Sequence, residues 1–123
     1  MTKKRILIVE DKGITALDEE QVMRDLGYEV TSIAITGEDA ILQAGRDRPD
    51  LALMDIQLAG KMDGREAALK IWELYQIPVV YVTAAGDKKT AEAGKFTMPE
   101  GFGYIVKPYT KEELESEIKR LIG

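Results

Sequence analysis

Hydrophobic positions along the 123-residue chain follow two rhythms. The first is a series of short apolar runs: Ile6-Leu7-Ile8-Val9, Val30 to Ile35, Leu51 to Met54, Val79 to Val82, and Phe102 to Val106. Unbroken runs of this length describe strands buried on both faces, as in a parallel sheet. The second rhythm is longer and amphipathic. Gly13 to Leu26 reads as a helix with Ala16, Met23 and Leu26 inward, and Gly27 is its stop. Thr36-Gly37-Glu38-Asp39 has the spacing of a capping box, ahead of Ile41 and Ala44 in a helix that Pro49-Asp50 ends. Asp63-Gly64-Arg65-Glu66 opens a third helix, with Ala67, Ala68, Ile71 and Tyr75 on one face. A short helix from Asp87 to about Ala93 is expected before Gly94 and Pro99 break the pattern. Thr110 with Glu113 caps a final helix carrying Leu114, Ile118, Leu121 and Ile122.

Parallel strands need crossover connections, so five strands alternating with five helices predict an α/β domain. The expected architecture is doubly wound: a five-stranded parallel sheet with helices on both faces, spanning residues 1–123 as one domain. There are 17 basic and 22 acidic side chains, a net charge of −5. That balance argues against a nucleic-acid surface or an anionic membrane as partner. No stretch approaches the ~18 apolar residues of a membrane span. Only four strongly apolar residues lie between Arg5 and Glu10, too few for a secretory signal core, so a cytoplasmic protein is expected. The chain has no cysteine and no histidine. Its chemistry must therefore run on carboxylates, hydroxyls, lysines and bound metal.

In open α/β sheets, ligands gather at the carboxyl ends of the strands. The first run ends in Glu10-Asp11, the third in Asp55, the fourth in Thr83 and the fifth in Lys107-Pro108. Each residue has a plain reading on its own: an acid that caps the next helix, a threonine that ends a strand, a solvent-facing lysine. Five of them at one edge call for a common purpose. Three close carboxylates repel by roughly 4 kcal/mol per pair at an effective dielectric near 20, so either one is protonated or a cation sits among them. Oxygen-only ligation selects a hard ion, for which Mg²⁺ is the natural candidate. A carboxylate beside that ion can attack phosphorus, while a lysine and a hydroxyl bind the transferring oxygens. The chemistry expected is phosphoryl transfer to Asp55.

Over nearly its full length the chain resembles a receiver domain of the two-component response-regulator family. The matching segments are Ile6-Leu7-Ile8-Val9-Glu10-Asp11, Leu51-Ala52-Leu53-Met54-Asp55-Ile56, Met62-Asp63-Gly64, Val82-Thr83-Ala84, and Gly103-Tyr104-Ile105-Val106-Lys107-Pro108-Tyr109. The resemblance implies a flavodoxin-like strand order of 2-1-3-4-5. It implies that Asp55 is the phosphoacceptor. Asp11 and Asp55 would bind Mg²⁺ directly, Glu10 mostly through water, and Gln57 through its backbone carbonyl. Thr83, Ala84 and Lys107 would contact the phosphoryl oxygens, across a cis Lys107-Pro108 peptide. Tyr104 would be the aromatic switch residue. Phosphorylation would then alter the surface made by the fourth helix, the fifth strand and the last helix, through Thr83 and Tyr104. Implied partners are a sensor histidine kinase or phosphotransfer protein as donor, and an output domain or downstream protein, with a phosphorylation-dependent dimer as a further option.

The chain departs from the family pattern in two places. The loop Leu58-Ala59-Gly60-Lys61-Met62 lacks the usual proline and runs one residue longer, and Gly94, Pro99 and Gly101 predict a shortened or displaced fourth helix. Gln57 and Ala85 stand where the family tunes phosphate lifetime. One rival reading is a receiver-like interaction module that is never phosphorylated; intact Asp55, Thr83 and Lys107 oppose it. Another is a small Mg²⁺-dependent phosphohydrolase, which would place an acid where Gln57 stands. A nucleotide-binding reading fails on Glu10-Asp11-Lys12-Gly13, which is no glycine-rich phosphate cradle.

Overall fold

The computed structural model describes residues 3–56, 58, 60–84 and 101–123. Strands β1 (Arg5–Val9), β2 (Glu29–Ala34), β3 (Leu51–Asp55), β4 (Val79–Thr83) and β5 (Gly103–Val106) form one sheet in the order β2-β1-β3-β4-β5. Every pairing is parallel. The described helices are α1 (Gly13–Asp25), α2 (Gly37–Asp47), α3 (Gly64–Tyr75) and α4 (Lys111–Ile122). The fold is the doubly wound one expected, and the helix expected at 87–93 lies outside the described residues.

The continuous apolar runs follow from two cores. Ile6 and Ile8 of β1 turn to one face, where they join Met23 of α1 with Leu114 and Ile118 of α4. Leu7 and Val9 turn to the other, against Ala40 and Ala44 of α2 and Ala67, Ala68 and Ile71 of α3. Both faces of the central strands are thus removed from water, and a one-residue slip would exchange the two packing sets.

Several element ends differ from the sequence pattern. β2 stops at Ala34 because its ladder with β1 ends at the pair Val9–Ala34, leaving Ile35 exposed. β5 starts at Gly103, opposite Val80. Phe102 leaves the ladder to pack edge-on against Trp72 and Tyr81, each 5.9 Å between ring centres. At α2 the Thr36 hydroxyl accepts the Asp39 N–H at 3.0 Å, but the reciprocal bond of a capping box is not made. The Asp39 carboxylate, a methylene shorter than glutamate, accepts from Gln43 Nε2 instead, at 3.2 Å. Thr110 and Glu113 do form the full box on α4. Leu26 is the half-buried C-cap of α1, and the third inward position of that helix belongs to Glu19, only 3% exposed.

Gly64 fixes where α3 meets the end of β3. Its N–H donates to the Ile56 carbonyl at 2.9 Å, and a β-carbon there would overlap the Asp55 carbonyl oxygen. Gly64→Ala is expected to lower unfolding free energy by about 1–3 kcal/mol in urea titrations, the cost of overpacking. Gly13→Ala, where a β-carbon meets nothing within 4 Å, should be neutral or slightly stabilising. Equal effects at the two positions would contradict this account of the junction.

Candidate functional site

Because β1, β3, β4 and β5 are consecutive neighbours, their carboxyl ends bring Glu10-Asp11, Asp55, Thr83 and Lys107 into one row. Backbone pairing holds the row together. The Glu10 N–H donates to the Ala34 carbonyl at 2.9 Å, and the Lys107 N–H to the Thr83 carbonyl at 2.8 Å. Asp55 and Thr83 are themselves the last strand residues, one further than the apolar runs extend, and are registered against Val82 and Val106. Their side chains therefore start from paired backbone, not from loops.

Glu10, Asp11 and Asp55 each offer a carboxylate oxygen within 4.8 Å of the other two, a set that could hold a metal ion. Glu10 is 1% exposed, and its Oε1 and the Oδ1 of Asp11 are buried without hydrogen-bond partners. Asp11 does not serve as a helix cap: the N-cap of α1 is Lys12, which makes no side-chain cap bond. Burial, then a hydrogen bond and charge repulsion from Asp55, push the Glu10 carboxyl up to about 8. Without a cation, that proton relieves part of the repulsion. Buried oxygen atoms with no partner, all of them hard donors, are the donor set Mg²⁺ takes.

Thr83 is 2% exposed, and its hydroxyl donates to the Ala84 carbonyl at 3.3 Å. Ala84 is exposed, and Lys107 is half-buried at the start of the β5–α4 connection. The Lys107-Pro108 peptide is cis. Tyr104 is half-buried against the α2–α3 core, and its N–H donates to Glu117 Oε2 of α4 at 3.1 Å. Gln57 and Ala85 lie outside the described residues.

Two neighbours of the row are absent from the strand-end pattern. Glu19 reaches the site from α1, and burial, with the charges of Asp55 and Asp18 against the opposing pull of Lys107, raises it to about 7. Its signal in the sequence is a carboxylate between Ala16 and Met23 on the inward helix face. Burial first, then the Glu19, Asp18 and Glu10 carboxylates, push the Tyr109 hydroxyl up to about 12.

The chain matches the response regulator receiver domain family over residues 6–119. It is 31% identical over 120 residues to the transcriptional regulatory protein PdtaR of Mycobacterium tuberculosis, covering 98% of this chain and 57% of that one. The phyllosphere-induced regulator PhyR of Methylorubrum extorquens is 32% identical over 119 residues, which is 95% of this chain and 43% of PhyR. The chain thus spans about half the length of these curated relatives. Among solved structures, the signal receiver domain of a modulated diguanylate cyclase from Desulfovibrio desulfuricans superposes with a TM-score of 0.87 at 32% identity, covering 98% and 94% of the two chains. Anti-anti-sigma factor PhyR from Bartonella quintana gives 0.82 at 30% identity, over 98% of this chain and 48% of that one. Among the described residues, no helix is long and apolar enough to cross a membrane.

Glu10 and Glu19 both titrate above the ordinary value of 4.5 in the folded protein, which therefore holds their protons more tightly than the unfolded chain does. The stability this supplies is complete below about 4.5 and is lost as pH rises through 7 and 8. The lowered carboxyls, Asp25 and Asp47, act in the opposite sense but below 3.8. In chelator-treated buffer the melting temperature is expected to fall between pH 5 and pH 8, and Glu19→Leu should flatten that decline. A melting temperature that rises across this window would contradict the assignment.

Proposed function

The chain belongs to the response regulator receiver domain family, and on that premise we propose that residues 1–123 form one phosphoacceptor unit switched by phosphorylation of Asp55. The observation that carries this role is the trio Glu10, Asp11 and Asp55, in which one buried oxygen of Glu10 and one of Asp11 have no hydrogen-bond partner, on the same sheet edge as a lysine and a threonine. Asp11 and Asp55, Glu10 through water, and the Gln57 carbonyl would hold Mg²⁺. When bound, the ion supplies positive charge against which oxygen anions can approach one another.

Asp55 attacks phosphorus through a carboxylate oxygen, and the bond to the donor's leaving group breaks as the acyl phosphate forms. The Lys107 ammonium, the Thr83 hydroxyl and the Ala84 N–H bind the phosphoryl oxygens, each charge-assisted bond contributing about 1.5–3 kcal/mol. To do so, the Thr83 hydroxyl gives up its 3.3 Å bond to the Ala84 carbonyl. That movement opens space towards β5, which the half-buried Tyr104 can fill by turning inward. Driving such a switch from 1:99 to 99:1 takes about 5.5 kcal/mol of differential stabilisation, so Thr83 and Lys107 supply part of it. The protein is then a signalling phosphoacceptor without turnover of its own beyond self-catalysed phosphorylation and dephosphorylation. Its donor would be a histidine kinase or phosphotransfer protein, which brings the imidazole this chain lacks. Its reader would be an output domain or a downstream protein.

Incubation with Mg²⁺ and acetyl phosphate should add the mass of one phosphoryl group, mapped to Asp55 and absent in Asp55→Ala. Label elsewhere, or labelling that ignores chelation of Mg²⁺, would overturn the role. Failure to label at saturating donor would favour the unphosphorylated interaction module, and sustained phosphoester turnover would favour the hydrolase. Thr83→Ala should still accept the phosphoryl group while the phosphorylation-dependent shift of the Tyr104 ring resonances shrinks. A full-sized shift in that variant would remove Thr83 from the switch.

A further inference from the structure

Strand β5 is the outer strand of the sheet, and among the described residues no strand lies beyond it. Outward N–H and C=O groups need partners, and an open edge invites pairing with another chain. Here α4 supplies the partners. Glu117 Oε2 accepts the Tyr104 N–H at 3.1 Å, and Arg120 Nη2 donates to the Phe102 carbonyl at 3.4 Å. The two side chains are also joined to each other, Arg120 Nε to Glu117 Oε1 at 2.9 Å and Nη2 to Oε2 at 3.0 Å. One acceptor and one donor thus stand across Gly103, where an adjacent strand would place a carbonyl and an N–H. Gly103 admits them, because a β-carbon there would overlap Glu117 Oε2 and crowd Arg120 Nη2. The ion pair takes the place of a sixth strand.

We propose that this ion pair is a removable cover on β5, and that the edge beneath it pairs with β5 of a second copy of the chain. A second copy fits because the covered groups are self-complementary about Gly103. In an antiparallel pair centred on that glycine, the Tyr104 N–H of each copy donates to the Phe102 carbonyl of the other. The same patch then serves both partners, as in the isologous contact of a two-fold dimer. Glycine opposite glycine is a non-hydrogen-bonded position, where α-carbons come within about 4.5 Å and a missing side chain eases the approach. Each copy has one β5 edge, so the assembly closes at two. The cover is half open to water, its arginine and glutamate side chains 54% and 22% accessible, and such a pair adds little to stability. It can therefore be displaced with the fold intact. The contact is made by backbone groups and is independent of the phosphoacceptor role of Asp55.

The test is oligomeric state by sedimentation velocity from micromolar to millimolar protein, with hydrogen exchange of the Tyr104 amide followed by NMR. Wild type is expected to remain a monomer whose Tyr104 amide is protected at every concentration. Glu117→Ala is expected to approach twice the monomer mass as concentration rises. Its Tyr104 amide should exchange fast when dilute and slowly when concentrated. Arg120→Ala should shift the same way but less, because the carboxylate still accepts from Tyr104. The chain has no cysteine of its own, and the side chain of Gly103→Cys would itself displace Glu117. That variant should form a disulfide-linked dimer on air oxidation, whereas Leu42→Cys, at an exposed position of α2, should not. It also keeps Glu117 and Arg120, so the comparison survives if a truncation fails to fold. Variants that stay monomeric and unlinked overturn the inference. So do association that leaves the Tyr104 amide exchanging fast, assemblies larger than two, and a wild type that dimerises with its cover intact.

Discussion

Glu10, Asp11 and Asp55 sit at the ends of two adjacent strands, near enough that their ionised forms repel one another. At such range each close pair of unit charges opposes the fold by roughly 4 kcal/mol at an effective dielectric near 20. The remaining architecture can be understood as what holds that arrangement in place. The β1–β3 ladder pairs Val9 with Met54, so the residues that follow, Glu10 and Asp55, are forced side by side. Packing on both faces prevents either strand from slipping. Gly64 lets the start of α3 sit against the Asp55 carbonyl, where any β-carbon would push the strand end away. In the absence of a cation, a proton held high on Glu10 by burial and by Asp55 takes up part of the repulsion.

The same row of strand ends connects the carboxylates to the opposite edge of the sheet. The Lys107 N–H is bonded to the Thr83 carbonyl, so the amine and the hydroxyl proposed to bind phosphoryl oxygens share one backbone link. Three residues before Lys107, Tyr104 is anchored to α4 through Glu117. In the proposed role, a change at Thr83 therefore has a short path to an aromatic ring and a helix. It crosses one pair of strands and one hydrogen bond.

Much of this was legible from residue order. The five apolar runs named the strands, and both-face burial explains why they were continuous instead of alternating. The strand ends pointed to Glu10, Asp11, Asp55, Thr83 and Lys107 because parallel topology sends every strand end to the same edge. Other features depend on three-dimensional context. Glu19 looked like one acid among several on α1, and only its burial against the β5–α4 connection gives it significance. Phe102 fits a strand by composition, but two aromatic partners draw it out of the ladder. The half-made cap at Thr36 turned on one methylene of side-chain length.

The central claim is that the buried, unpaired carboxylate oxygens at these strand ends are a divalent-cation site. Paramagnetic broadening of backbone amide signals by Mn²⁺, reversed by competing Mg²⁺, tests it directly. The account predicts that signals of Glu10, Asp11, Asp55 and their sequence neighbours broaden first, recover as Mg²⁺ is added, and fail to broaden in Asp11→Asn. Broadening centred elsewhere, or broadening that Mg²⁺ does not reverse, would contradict it.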